Sequence, residues 1–183
     1  MTPDMDAATA LYASAAVLLV IAGAVKTVRP ATAAALIEDL GAPTGGPVTG
    51  TRLALGLGVV EIALGVTALA GDVPGVPIAV GVLYVVFAAT VMRAMSLGTE
   101  SCGCFGRVDA PPTWFHVVGN AALAACSFVA AAGRSPLEVM DDQPAAGLGF
   151  VLLIGVLAGL ELILFTALPE AMEARKPTRA VRS

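Results

Sequence analysis

The chain alternates between long apolar blocks and short polar connections. Five blocks consist mainly of Ala, Val, Leu, Ile and Gly, and they cover residues 8–28, 51–70, 76–95, 113–132 and 146–168. Each block has about 20 residues, which at roughly 1.5 Å of rise per residue crosses the roughly 30 Å hydrocarbon core of a bilayer. The pattern therefore predicts an all-α membrane protein, built as an antiparallel bundle of transmembrane helices.

The polar connections refine this outline. Pro77 falls in a first helical turn, where a missing backbone N–H is tolerated. The stretch ATAAALIEDLG, residues 31–41, predicts a short interfacial helix that ends at Gly41. Pro169 is expected to close the last span, which leaves residues 169–183 as a basic tail.

Composition supports a membrane location. The chain of 183 residues is 57% hydrophobic and 13% charged, and its mean hydropathy is +0.87. A soluble domain carries roughly a quarter charged residues, so the lipid bilayer is the expected surrounding. The chain has no basic run with interleaved aromatics, and we expect no nucleic-acid partner. The opening MTPDMDAATA is acidic rather than basic, so the first block is expected to be a retained span and not a cleaved signal.

Lysines and arginines predict the orientation. Five spans place Arg134 on one face and all the other basic residues on the opposite face. Those residues are Lys26, Arg29, Arg52, Arg93, Arg107, Arg175, Lys176, Arg179 and Arg182. Because cytoplasmic segments are enriched in Lys and Arg, this asymmetry predicts a multi-pass protein of the cell membrane with its N-terminus outside. The loop 96–112 and the tail 169–183 are then cytoplasmic.

The loop 96–112 carries the sequence SCGCFGR, with two of the three cysteines of the chain. Cys102 and Cys104 are separated only by Gly103, whose backbone freedom allows a very small disulfide ring. Such a ring is strained, and strained disulfides are the labile or catalytic ones. Arg107 would favour the reactive thiolate. The motif thus predicts a redox dithiol, although a tight turn with inert thiols is the simpler structural interpretation.

Metal binding is a further interpretation of the same cysteines. A closed zinc site needs four ligands, whereas this face offers Cys102, Cys104 and at best His116. A site of two or three ligands for a soft ion such as Cu(I) stays open, and we assign no metal ligands. Cys126 lies deeper in the fourth block, where a free cysteine usually behaves as a small hydrophobe.

Charged residues inside the apolar blocks need an explanation. Glu61 falls near the middle of the second block and Glu161 falls in the fifth. Carboxylates at such depth should face the bundle interior and pair, or stay protonated. Lys26 is a possible partner for Glu61, and its alternative is a lysine that snorkels from a helix end. Glu161 follows Gly155 and Gly159, a GxxxG face that suits close helix contact.

The fourth block opens with PPTWFHVVGN. Trp114 is either an interfacial anchor or a cofactor contact. His116 is the only histidine and would suit a proton donor for thiol or quinone chemistry, although a plain polar contact is the simpler alternative. Asn120 lies four residues later, on the same helix face.

These residues together resemble the MauE family of methylamine-utilisation membrane proteins, within the wider DoxX-like redox-associated group. SCGCFGR after a third span, an Asn early in the fourth, the Lys26–Arg29–Pro30 end of the first and VVEIALG in the second carry the resemblance. It covers roughly residues 10–132 and implies a four-helix core similar to that of vitamin K epoxide reductase-like proteins, here with a fifth C-terminal helix. It also implies thiol oxidoreduction, with Cys102 and Cys104 as the redox pair and Lys26, Glu61 and Asn120 in support.

The leading hypothesis is a membrane thiol oxidoreductase that exchanges electrons with a thioredoxin-like partner or a quinone, the candidate cofactor. We expect no tightly bound cofactor. Extracytoplasmic disulfide formation would need the CGC motif outside, whereas the basic residues predict it inside. Two alternatives are a non-enzymatic subunit of a larger respiratory complex and a protein that binds or transports a soft metal.

Overall fold

The computed structural model describes residues 3–42, 45, 48–71, 73–99, 112–143 and 147–174, with side chains from residue 7 to residue 167. Its helices are α1 (Pro3–Val28), α2 (Ala31–Asp39), α3 (Gly50–Ala70), α4 (Val76–Leu97), α5 (Trp114–Ala130), α6 (Pro136–Asp141) and α7 (Leu148–Ala174). Within the described ranges there is no β-strand, only an isolated bridge between Gly45 and Val48.

Four of these helices are long and apolar enough to cross a membrane. They are α1 from Ala7, α3, α4, and α7 as far as Ala167. Helix α5 is also apolar but has 17 residues, the lower end of what a span needs. The prediction of an all-α membrane protein is therefore confirmed.

Helix α1 forms the centre of the bundle. In its apolar window 67% of the residues are buried, compared with 17% in α7. Helix α1 packs against α3, α5 and α7. It approaches α3 closely because glycines face each other: a Cβ on Gly58 would lie 2.8 Å from the carbonyl oxygen of Gly23. The outward faces of α3, α4 and α7 carry exposed apolar side chains, which suits contact with lipid tails.

The structure differs from the sequence-based expectations at three places. Helix α7 does not end at Pro169 but continues to Ala174. Helix α6 was not expected, although Ser135 and Glu138 form the capping box that SPLE encodes. Gly155 and Gly159 do not mark a contact with the described part of the chain, because a Cβ on either would meet nothing there within 4 Å. The short helix expected within residues 31–41 is present as α2.

Candidate functional site

Lys26, Glu61, His116 and Asn120, four of the polar residues expected in the spans, lie toward one end of the bundle, whereas Glu161 lies elsewhere. The segment that contains the CGC motif connects α4 to α5 in the sequence, and α4 ends and α5 begins at this end of the bundle. Helix α1 ends there and α3 begins there. Cys102, Cys104 and Arg107 themselves lie outside the described residues.

Lys26 and Glu61 form a buried ion pair between α1 and α3. The Lys26 Nζ atom donates to both carboxylate oxygens of Glu61, at 2.8 and 3.0 Å. Lys26 is 6% exposed and Glu61 is 0% exposed. Helical side chains lean toward the N-terminus of their helix, so Lys26 reaches into the bundle rather than out to the interface. Lys26 therefore pairs with Glu61 and does not snorkel.

Aromatic residues of α4 line the other side of this pair. The Lys26 Nζ atom lies 5.8 Å from the centre of the Phe87 ring, a distance at which the ring face attracts a cation. Phe87 packs edge-on against Tyr84, with ring centres 5.9 Å apart. The Tyr84 hydroxyl donates to the backbone oxygen of Ala15 at 2.7 Å. The cation is thus held between a carboxylate and an aromatic face.

A cavity of about 180 Å³ lies next to the ion pair. Most of its wall is apolar, and α2 contributes Ala33, Leu36, Ile37 and Leu40 to it. Its polar wall residues are Lys26, Tyr84, Thr90 and Asn120. Lys26 is the charged residue among them, whereas its partner Glu61 does not line the cavity. Asn120 is 5% exposed, and its amide nitrogen donates to the His116 backbone oxygen at 2.7 Å.

His116 joins α5 to α7. Its ring atom Nε2 lies 2.9 Å from the backbone oxygen of Phe165. That oxygen would normally accept from the N–H of residue 169, but Pro169 has none. His116 therefore supplies the donor that the proline removes. Gly119 makes room for this approach, since a Cβ there would lie 2.6 Å from the Phe165 ring.

The other ring nitrogen of His116 is also engaged. The Thr113 backbone N–H donates to Nδ1 at 3.2 Å, and the Thr113 hydroxyl lies 2.9 Å from the same atom. Nδ1 is thus an acceptor, which assigns the ring hydrogen to Nε2. His116 is fully buried and does not line the cavity. The geometry assigns it a structural role, and a part in cofactor binding or proton transfer stays a prediction.

Two further sequence-based candidates lie away from the cavity. Trp114 is 62% exposed at the start of α5, a position that suits an interfacial anchor. Cys126 is a free, half-buried cysteine.

The cavity residues Tyr84, Phe87 and Phe165 were not anticipated from the sequence. Of these three, only Tyr84 gave a signal that could have found it, because it is a polar residue inside an apolar block.

Glu161 forms a second polar contact, partly buried and deeper in the bundle. The Ser14 hydroxyl lies 2.8 Å from its Oε1 atom. Its Oε2 atom is buried and has no hydrogen-bond partner in the described part of the chain.

The structure also bears on the metal interpretation. Among the described residues, no group of three or more His, Cys, Asp or Glu side chains could hold a metal ion. Because Cys102 and Cys104 are not among them, the soft-metal alternative stays a prediction.

Taken together, these features define a multi-pass α-helical membrane protein with a buried ion pair beside an apolar cavity. The chain belongs to the MauE family, described as methylamine utilisation protein MauE, which matches residues 5–133. Comparison with curated proteins gave no match, and neither did comparison with solved structures. Kinship with the wider DoxX-like group stays a prediction. The matched range ends before α6 and α7, so the Glu161 and Phe165 contacts involve a helix outside it.

Proposed function

We propose that this protein is a membrane thiol oxidoreductase in which Cys102 and Cys104 cycle between dithiol and disulfide. The observation that carries the proposal is the cavity with its buried ion pair, near the end of the bundle where α4 ends and α5 begins. Closing the disulfide releases two electrons and two protons from the two thiols. Arg107, three residues after Cys104, would favour the thiolate that starts the exchange.

We propose a quinone as the electron acceptor. Ligand sites in proteins are mostly apolar with a few placed polar groups, and the wall of this cavity has that character. A cavity of roughly 150 Å³ holds benzene, so the about 180 Å³ present here is large enough for one substituted ring. Phe87 offers a stacking face, while Lys26 and Asn120 offer hydrogen-bond donors to ring oxygens. A thioredoxin-like protein is the proposed partner on the thiol side.

We further propose that the CGC segment faces the cytoplasm. The support is the distribution of basic residues, nine of which fall on that face and one, Arg134, on the other. A membrane-impermeant thiol reagent distinguishes the two sides. It should label Cys102 and Cys104 in inverted membrane vesicles and leave them unlabelled in intact cells.

The activity is tested with the purified full-length protein in lipid nanodiscs. Reduced protein is mixed with decylubiquinone or menadione, and thiols are then trapped by alkylation and counted by mass spectrometry. We expect the wild type to lose two alkylation sites, and Cys102→Ser and Cys104→Ser to lose none. Cys126→Ser is the matched control and should behave like the wild type. Full activity in both the Cys102→Ser and Cys104→Ser variants would contradict the proposal.

A role as an accessory subunit of a larger membrane complex is the second candidate. The supporting observation is the outward face of α7, where Gly155 and Gly159 leave space that none of the described residues fills. Small residues at such positions allow another helix to approach closely. Native purification tests this role. A stoichiometric partner that is lost in Gly155→Leu and kept in Cys102→Ser would favour the accessory role over the enzyme.

A further inference from the structure

Among the described residues that line the cavity, one carries a charge. Lys26 lines the cavity, and its ammonium group donates to both carboxylate oxygens of Glu61, a residue that does not line the cavity. Among the described residues, the other salt bridge, between Arg134 and Asp142, is much more exposed than that of Lys26 and Glu61. Burying an ion pair carries a desolvation penalty even when the charges are paired, so keeping a charged lysine beside this cavity lowers the stability of the fold.

The shape of the site also fixes where the ammonium can act. Glu61 holds Nζ from the α3 side, and the Phe87 ring lies 5.8 Å away on the α4 side. Gly58 permits this arrangement, because a Cβ on Gly58 would lie only 3.1 Å from the Lys26 Cβ atom. A flexible lysine is therefore reduced to one orientation beside the cavity. Such positioning is what a proton donor to a bound molecule requires.

We propose that Lys26 is a catalytic residue, which hydrogen-bonds one ring oxygen of the quinone in this cavity and donates a proton to it. This inference rests on the proposed function. In the overall reaction the two thiols lose two electrons and two protons and form the S–S bond, while the quinone gains both and becomes the quinol. Lys26 supplies one of those protons and is left as an amine, which regains a proton from those that the thiols release. Glu61 is a positioning residue, which holds the ammonium and stabilises its charge.

The test separates binding from turnover. Lys26→Met alone would leave Glu61 as an uncompensated buried charge, so the informative variant is Lys26→Met combined with Glu61→Gln, which removes both charges. Arg93→Met is the matched control. It removes an exposed cation near the C-terminal end of α4, and Arg93 does not line the cavity. Quinone binding is read as the rise in unfolding temperature that decylubiquinone or menadione causes, and turnover as the rate of dithiol oxidation.

We expect the double variant to fold, to bind both quinones at least about tenfold more weakly, and to oxidise its dithiol about 10²–10⁴-fold more slowly, the usual contribution of a general acid. Arg93→Met should match the wild type in both measurements. Wild-type affinity and turnover in the double variant would overturn the inference, and so would equal losses in Arg93→Met. If no quinone stabilises the wild type, the inference fails, whereas dithiol exchange with a thioredoxin-like protein would leave the proposed oxidoreductase function intact.

Discussion

Two glutamates in the described helices, the fully buried Glu61 and the half-buried Glu161, are satisfied in different ways. Glu61 lies between α3 and α1 with both of its oxygens on the Lys26 ammonium. Glu161, in α7, receives one hydroxyl from Ser14, and its second oxygen has no partner among the described residues. A carboxylate in a membrane core needs a counter-charge, whereas a protonated carboxyl group needs only hydrogen bonds. The comparison indicates that Glu61 is kept as an ion and that Glu161 suits the neutral acid.

The same substitution at the two sites should therefore have unequal effects, and the larger one is expected at Glu61. Glu61→Gln leaves the Lys26 ammonium buried without a counter-charge, and we expect it to lower the free energy of unfolding by about 3–5 kcal/mol. Thermal or denaturant unfolding in detergent micelles measures this. Adding Lys26→Met removes the orphaned charge and should recover most of the loss. A double variant no more stable than Glu61→Gln would show that the charge is not the cause.

The close approach of α1 and α3, which brings the ion pair together, depends on small residues. Gly58→Ala places a Cβ 2.8 Å from the Gly23 backbone oxygen, and overpacking of this kind costs about 1–3 kcal/mol. Gly155→Ala in α7 is the matched control, because its Cβ meets nothing within 4 Å. Unfolding temperatures of the two variants in the same detergent should separate clearly. Equal temperatures would contradict the packing described for Gly58.

The contact between α5 and α7 allows a third test, because His116 of α5 replaces the backbone N–H that Pro169 lacks. His116→Phe removes the donor to the Phe165 backbone oxygen, and leaving a buried carbonyl unsatisfied costs about 1–3 kcal/mol. Pro169→Ala would restore the helical N–H to that oxygen. The cost of His116→Phe should therefore be smaller in the Pro169→Ala background than in the wild type. Equal costs in both backgrounds would mean that Pro169 and His116 act independently.

The sequence suggested Lys26 as a partner for Glu61 but left open a lysine that snorkels to the interface. Both residues stand out as charges within apolar blocks, in two spans that run antiparallel beside each other. The structure settles the alternative, because the Lys26 side chain leans back along α1 toward the middle of α3. Membrane class and family resemblance were likewise readable, because apolar block length and the CGC motif are local features of the chain.

The cavity and the role of His116 could not be obtained in this way. The cavity depends on how Tyr84, Phe87 and Phe165 pack, and these residues come from α4 and α7, far apart along the chain. Pro169 does signal an unsatisfied oxygen at Phe165, four residues earlier. Nothing local, however, says which side chain will supply the donor, because His116 reaches it only through the packing of α5 against α7.

The smallest effect is expected at Glu161, and it completes the comparison with Glu61. In Glu161→Gln the amide oxygen can still accept from the Ser14 hydroxyl, and no cation is left unpaired. We therefore expect the free energy of unfolding to change by less than about 1 kcal/mol, the net value of a typical hydrogen bond. The same unfolding measurement as for Glu61→Gln applies, with Ser14→Ala as the control that removes the donor. If Glu161→Gln were as destabilising as Glu61→Gln, Glu161 would have to be ionised in the native state, with its counter-charge in a part of the chain beyond the described residues.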